Sequence, residues 1–112
     1  MEKRVDLRHD VGLLQDELTN VVIVFQDKHE TEAGVVDISP QGLKVSIHPS
    51  GVPLTTPQQN EAVDIFFAAI YLRITCRYIY SMDGEDGSVF MGFYVFDPDD
   101  QTRLRILLDK IR

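Results

Sequence analysis

Ala33-Gly34-Val35-Val36-Asp37-Ile38-Ser39-Pro40-Gln41-Gly42-Leu43-Lys44-Val45-Ser46-Ile47 reads as two strands and the turn that joins them. Residues 33–36 form one short apolar run. In the second run Leu43, Val45 and Ile47 alternate with Lys44, Ser46 and His48, the period-two pattern of a half-buried strand. The turn itself is Asp37 to Gly42. Asp37 and Ser39 have short side chains that either bond local backbone donors or point outward to a ligand. Pro40 fixes one φ angle, and Gly42 offers a backbone conformation that residues with a Cβ avoid. The expectation is a stiff turn holding two polar groups at one rim of a sheet.

The neighbouring segments extend this pattern. Residues 19–26 are β-branched and aromatic, hence a strand, and residues 31–38 pair back on them across the polar turn Asp27-Lys28-His29-Glu30. Residues 49–60 form the one long loop, uncharged, with Pro49, Pro53 and Pro57. The apolar run 62–80 exceeds normal strand length. It divides near Ala68-Ala69-Ile70 into strands 62–67 and 71–81, and in the second of these Leu72, Ile74, Cys76, Tyr78 and Tyr80 are expected on one face. Asp83-Gly84-Glu85-Asp86-Gly87 is a hairpin loop in which glycine supplies positive φ. Residues 88–96 are the last strand, and Gly92 within it suggests a bulge or a close backbone approach.

Asp97 is then an N-cap, Pro98 suits the first helical position, and Leu104, Leu107, Leu108 and Ile111 recur at helical spacing. Six strands joined by short hairpins, with no helix between them, imply a mainly β fold. The expected form is a six-stranded antiparallel β-barrel closed by a C-terminal α-helix. The domain division is an N-terminal arm, 1–18, with a short helical turn around 13–18, and a barrel with its helix, 19–112.

The totals narrow the function. The chain has 112 residues, 44% hydrophobic and 26% charged, enough for one core. Its net charge of −7 repels nucleic-acid backbones, so neither DNA nor RNA is an expected partner. A small anion remains possible where basic residues cluster. The single cysteine, Cys76, forms no internal disulfide and fits a reducing compartment. No apolar run reaches the roughly 20 residues that cross a bilayer, and none of the secretory kind follows the charged N-terminus. A cytoplasmic protein without membrane insertion is the expectation.

Arg4 and Arg8, four residues apart, fall on one side of an extended arm or of a helical turn. Two guanidinium groups so placed can grip phosphates or hydrogen-bond a purine; equally, such a pair is solvated surface beside Asp6 and Asp10. Asp37 and Ser39 have two readings as well, a self-closing turn or a ligand contact. His9, His29 and His48 are too scattered for a metal site. Cys76 lies on an apolar strand face and reads as core rather than nucleophile. No Ser/His/Asp order or phosphate-binding glycine loop is present, so no enzyme and no cofactor are expected.

The two motifs together, Arg4-Val5-Asp6-Leu7-Arg8 and Asp37-Ile38-Ser39-Pro40-Gln41-Gly42, resemble those of the PilZ domain, the bacterial receptor module for cyclic di-GMP. The resemblance covers nearly the whole chain, including Met91-Gly92-Phe93-Tyr94-Val95-Phe96 before a terminal helix. It implies a ligand site made by Arg4, Arg8, Asp37, Ser39 and Gly42. The arginines would contact phosphates and guanine edges, Asp37 and Ser39 would hydrogen-bond guanine, and Gly42 would keep the turn open. It further implies a non-catalytic sensor that passes the signal to a protein partner in motility, biofilm or secretion control. The alternative is a PilZ-type interaction adaptor that binds no nucleotide.

Overall fold

The computed structural model describes residues 9–10, 20–48 and 56–110. Its strands are β1 (His9–Asp10), β2 (Asn20–Val24), β3 (Glu30–Ser39), β4 (Gly42–Ile47), β5 (Ala62–Phe67), β6 (Leu72–Asp83) and β7 (Val89–Val95). The helix α1 (Pro98–Lys110) follows. All pairings are antiparallel, in the order β1-β3-β2-β5-β6-β7-β4, and β4 also pairs with β3. That last pairing closes a six-stranded barrel, as the alternation of the sequence indicates. β1 lies beside β3 at Asp37 and Ile38, beyond the point where β2 stops at Gly34. The sequence reading treats residues 1–18 as an arm and does not anticipate this strand. The expected helical turn around 13–18 lies outside the described residues.

Period-two patterning fills the interior. Each barrel strand or its immediate flank contributes three buried side chains: Val21, Ile23 and Phe25; Ala33, Val35 and Ile38; Leu43, Val45 and Ile47; Val63, Ile65 and Phe67; Ile74, Cys76 and Tyr78; Met91, Phe93 and Val95. Leu104 and Leu108 of α1 join the same cluster, with Leu107 packed partly against it. Ile111, the fourth expected member of that stripe, lies outside the described residues.

Two bulges change the phase of the alternation, and both bear on the outer surface. Val35 pairs with Val45, and the next pair is Asp37 with Lys44, so Val36 is an extra residue in β3. With Ala33 and Val35 facing inward, uninterrupted alternation would send Asp37 into the core. The bulge turns Ile38 inward instead, fully buried, and leaves Asp37 outside. The second bulge lies between Tyr78, paired with Phe93, and Tyr80, paired with Gly92. It corrects the sequence expectation for Tyr80, which leaves the Ile74–Cys76–Tyr78 face and stands outside, 42% exposed.

The join of β5 and β6 is a 3-10 turn, Ala68–Ile70, followed by Tyr71 at φ 54°. A left-handed backbone at an exposed tyrosine explains how the chain reverses here without glycine or asparagine. In the β6–β7 loop, Gly87 has φ 86°, as a glycine there allows.

The helix is fastened at its start. Asp97 accepts the first helical bond from Gln101 N–H (2.9 Å), the position of an N-cap. Asp100, 4% exposed, accepts from Thr75 N–H (3.0 Å) and from Arg103 (3.0 Å). The β6–β7 ladder ends at Cys76–Val95, so this carboxylate takes the place of the strand partner that Thr75 lacks on that side. Burial, followed by the charges of Asp100 and Asp64, pushes the Cys76 thiol far up. A thiol so held is core, not nucleophile.

At the tip of the β6–β7 hairpin, the Ser88 hydroxyl and Ser88 N–H both donate to Asp86, and His48 Nδ1 lies 3.2 Å from the same hydroxyl. The side-chain bond from Ser88, then its backbone bond, hold the Asp86 carboxyl below its ordinary range. A depressed carboxylate contributes order above the unfolded pKa near 4 and loses it as pH falls through the folded value. Acidification is therefore expected to lower the protection of the Gly84 and Ser88 amides relative to their intrinsic exchange rates, and Asp86→Asn to remove that acid-side dependence.

Candidate functional site

The outer face of β3, β4, β7 and β6 carries a row set by the register. Asp10, Asp37, Lys44, Gly92 and Tyr80 stand opposite one another in turn. A second row, two residues along, runs Ser39, Gly42, Tyr94, Arg77. Between them is a hollow of about 420 Å³ lined by Asp37, Gln41, Gly42, Lys44, Tyr80, Gly92 and Tyr94, with Leu43, Ile79 and Phe93 beneath.

The turn at its edge is tighter than the sequence suggests. Asp37 and Ser39 belong to β3, Gly42 opens β4, and only Pro40 and Gln41 make the reversal. Pro40 suits the first corner, and neither corner residue has positive φ. Gly42 does not use its conformational freedom either: among the described residues Gly87 is the glycine with positive φ. Ser39 is 1% exposed; its hydroxyl accepts from Gln41 N–H (3.3 Å) and donates to the Gly42 carbonyl (3.4 Å). Both bonds are long, and both close the turn on itself. The Gln41 carbonyl accepts from Val95 N–H (2.9 Å), and Gln101 donates to the Val95 carbonyl (2.8 Å), so turn, β7 and helix are one rigid unit.

Of the five residues the sequence singles out, the structure brings Asp37, Ser39 and Gly42 to one rim. Arg4 and Arg8 lie outside the described residues. Their neighbour does not: His9, which follows Arg8 directly, pairs with Ile38, and Asp10 with Asp37.

Lys44 and Arg77 escape the sequence reading as site residues, and Tyr80, read from sequence as core or as the border of a binding face, stands beside them. Lys44 sits across from Asp37, its ammonium 5.0 Å from the Phe90 ring centre. Arg77 lies over Phe96 at 4.5 Å and donates to the Asn60 carbonyl (3.0 Å). Tyr80 is hidden by its bulge, although Gly92, its partner, carries the signal of a close approach. A Cβ at Gly92 would lie 2.6 Å from Tyr80 Cζ and 2.8 Å from Cδ2. The Tyr80 ring therefore rests on the glycine.

A larger open depression, about 1420 Å³, runs along β2, β3 and the β6–β7 loop. Glu30, Glu32 and Asp83 stand on it. Those carboxylates repel an anion; the smaller hollow sets one carboxylate, Asp37, against Lys44 inside and Arg77 beside it, and so suits an anion better.

Closed barrel, terminal helix and turn place the fold in the PilZ-like class. Among solved structures the chain is similar to the K. pneumoniae MrkH–c-di-GMP complex (18% identity, TM-score 0.69), covering 99% of this chain and 53% of that one. It is also similar to the c-di-GMP-bound PilZ domain of YcgR from Escherichia coli, at 9% identity and TM-score 0.65, over 98% of this chain and 92% of that one. Against the Bacillus subtilis inhibitor of motility, MotI/DgrA, the values are 17% and 0.63, over 100% and 55%. The chain thus spans about half the length of MotI and of MrkH. No protein-family model and no curated protein matches it. No helix among the described residues is long and apolar enough to cross a membrane.

Proposed function

We propose that this domain is a non-catalytic receptor for cyclic di-GMP that relays the signal to a protein partner in the cytoplasm, without DNA, RNA or a cofactor. Residues 1–18 are the ligand-responsive arm and 19–112 the barrel. One observation carries this reading: β1 pairs with β3 at Ile38 and Asp37, and Arg8 immediately precedes β1 in the sequence. The covalent chain keeps its Cα about 3.8 Å from that of His9. The pairing of His9 with Ile38 and of Asp10 with Asp37 supports an arm, carrying Arg4 and Arg8, that serves this rim.

The chemistry fits the ligand. Two phosphate charges suit the two guanidinium groups, and the Asp37 carboxylate accepts from guanine N1–H and N2–H₂. Ser39 and Gly42 set the turn against which the base is held. Neutralised by the nucleotide, the arm is pinned across the barrel and changes the surface a partner meets. The structural likeness to domains solved with c-di-GMP supports the same reading.

The test is calorimetric titration of wild type and Arg8→Ala with cyclic di-GMP. Wild type is expected to bind, and the variant to lose at least about 2 kcal/mol, the scale of a charge-assisted contact. Affinity should fall as salt rises. No heat with wild type would overturn the receptor reading in favour of a nucleotide-independent adaptor.

A further inference from the structure

We infer that Tyr80 is a stacking shelf for one purine of the ligand, with Lys44 beside it as a phosphate-binding cation. The inference rests on the cyclic dinucleotide reading above and adds two residues that the Arg and Asp-x-Ser motifs do not contain.

Three features of the site converge on it. The bulge between Tyr78 and Tyr80 rotates this tyrosine out of the core, where unbroken alternation would have buried it. Gly92 removes the side chain that would otherwise stand under the ring, and three ring carbons, Cδ2, Cε2 and Cζ, come closest to the missing Cβ. The ring is thus supported on one side by backbone, while 42% of the residue remains exposed. An aromatic ring held against a sheet and open on its other side is the geometry that binds a base by its π-face.

Position matters as much as shape. In the cross-strand row Tyr80 is opposite Gly92, Gly92 opposite Lys44, and Lys44 opposite Asp37. At about 4.8 Å per strand, the glycine under the ring is roughly 10 Å from the carboxylate. A base stacked on Tyr80 therefore extends toward Asp37, across Lys44. The Lys44 ammonium rests 5.0 Å from the centre of the Phe90 ring. A cation–π contact at a partly exposed site is weak enough to be exchanged for a phosphate. In a chain of net charge −7, a lysine and an aromatic shelf in one hollow form a local exception to the repulsion of anions.

The experiment is titration of cyclic di-GMP into wild type, Tyr80→Ala, Tyr80→Phe and Lys44→Gln, each with a thermal melt to establish folding. Tyr80→Ala is expected to weaken binding about 5- to 150-fold, the range of a lost base–aromatic stack. Tyr80→Phe, which keeps the ring, should bind within about 2-fold of wild type. Lys44→Gln should weaken binding and flatten its salt dependence. If Tyr80→Ala is folded and binds as tightly as wild type, the shelf is wrong while the receptor reading stands. If wild type does not bind, both fall together.

Discussion

Replacing Ile38 by aspartate is expected to destabilise the barrel by more than about 4 kcal/mol, enough to leave much of the population unfolded. Ile38 is fully buried, and the bulge at Val36 is what turns it inward. The substitution buries an unpaired carboxylate, which costs several kcal/mol, and removes an isoleucine worth about 2 kcal/mol of burial. Set against a typical total of about 5–15 kcal/mol, the loss is severe. Deleting Val36 is the contrasting case. Without the extra residue, Val35 inward, Asp37 outward and Ile38 inward alternate strictly, so every side chain keeps its face and the deletion should cost far less. Denaturant midpoints of the two variants give the comparison. A deletion variant as unstable as Ile38→Asp would show that the bulge does more than correct the phase of β3.

Removing the Asp100 carboxylate comes next in expected size. Asp100→Ala strands the Thr75 N–H, which has no β7 partner, and takes an acid from the first turn of α1. An orphaned buried donor costs about 1–3 kcal/mol, and the lost helix-dipole interaction about 0.5 kcal/mol more. Arg103→Ala breaks only an exposed-side ion pair and should change stability by less than about 1 kcal/mol. Asp100→Asn, which retains an acceptor oxygen, should fall between. Amide exchange at Thr75 reads the mechanism directly: it should accelerate in Asp100→Ala and stay protected in Arg103→Ala. Unchanged protection in Asp100→Ala would remove the carboxylate from its role as substitute strand.

Most of the architecture was legible because burial imposes period two on half-covered strands and 3.6 on the helix. Leu43, Val45 and Ile47 point inward as their alternation requires, and Leu104 and Leu108 cover the barrel as their spacing requires. The bulges were not legible. Val36 and Ile79 are apolar residues in apolar runs, and hydropathy cannot tell an inserted residue from an alternating one. That single ambiguity put Tyr80 on the wrong face. β1 was hidden for another reason: His9 and Asp10 are polar, and two residues are too few to show a period. Their pairing depends on the edge that β3 offers where β2 ends. The rim at Asp37 was found by its turn chemistry, yet the partners that complete it, Lys44 and Arg77, come from strands that meet it only in three dimensions. Gly42 was expected to supply an unusual backbone angle, and instead it begins a regular strand beside Tyr94.

Closure of the ladder between β3 and β4 has a consequence for how the molecule meets its surroundings. Tyr80, Met82 and Tyr94 give one wall a sticky, oily character. On an open sheet such a wall would adjoin a row of free amide groups, and neighbouring copies could zip together through their backbones. In the six-stranded ring the main chain is largely spoken for. Contact through that wall is therefore confined to side chains, the kind of adhesion that comes apart again.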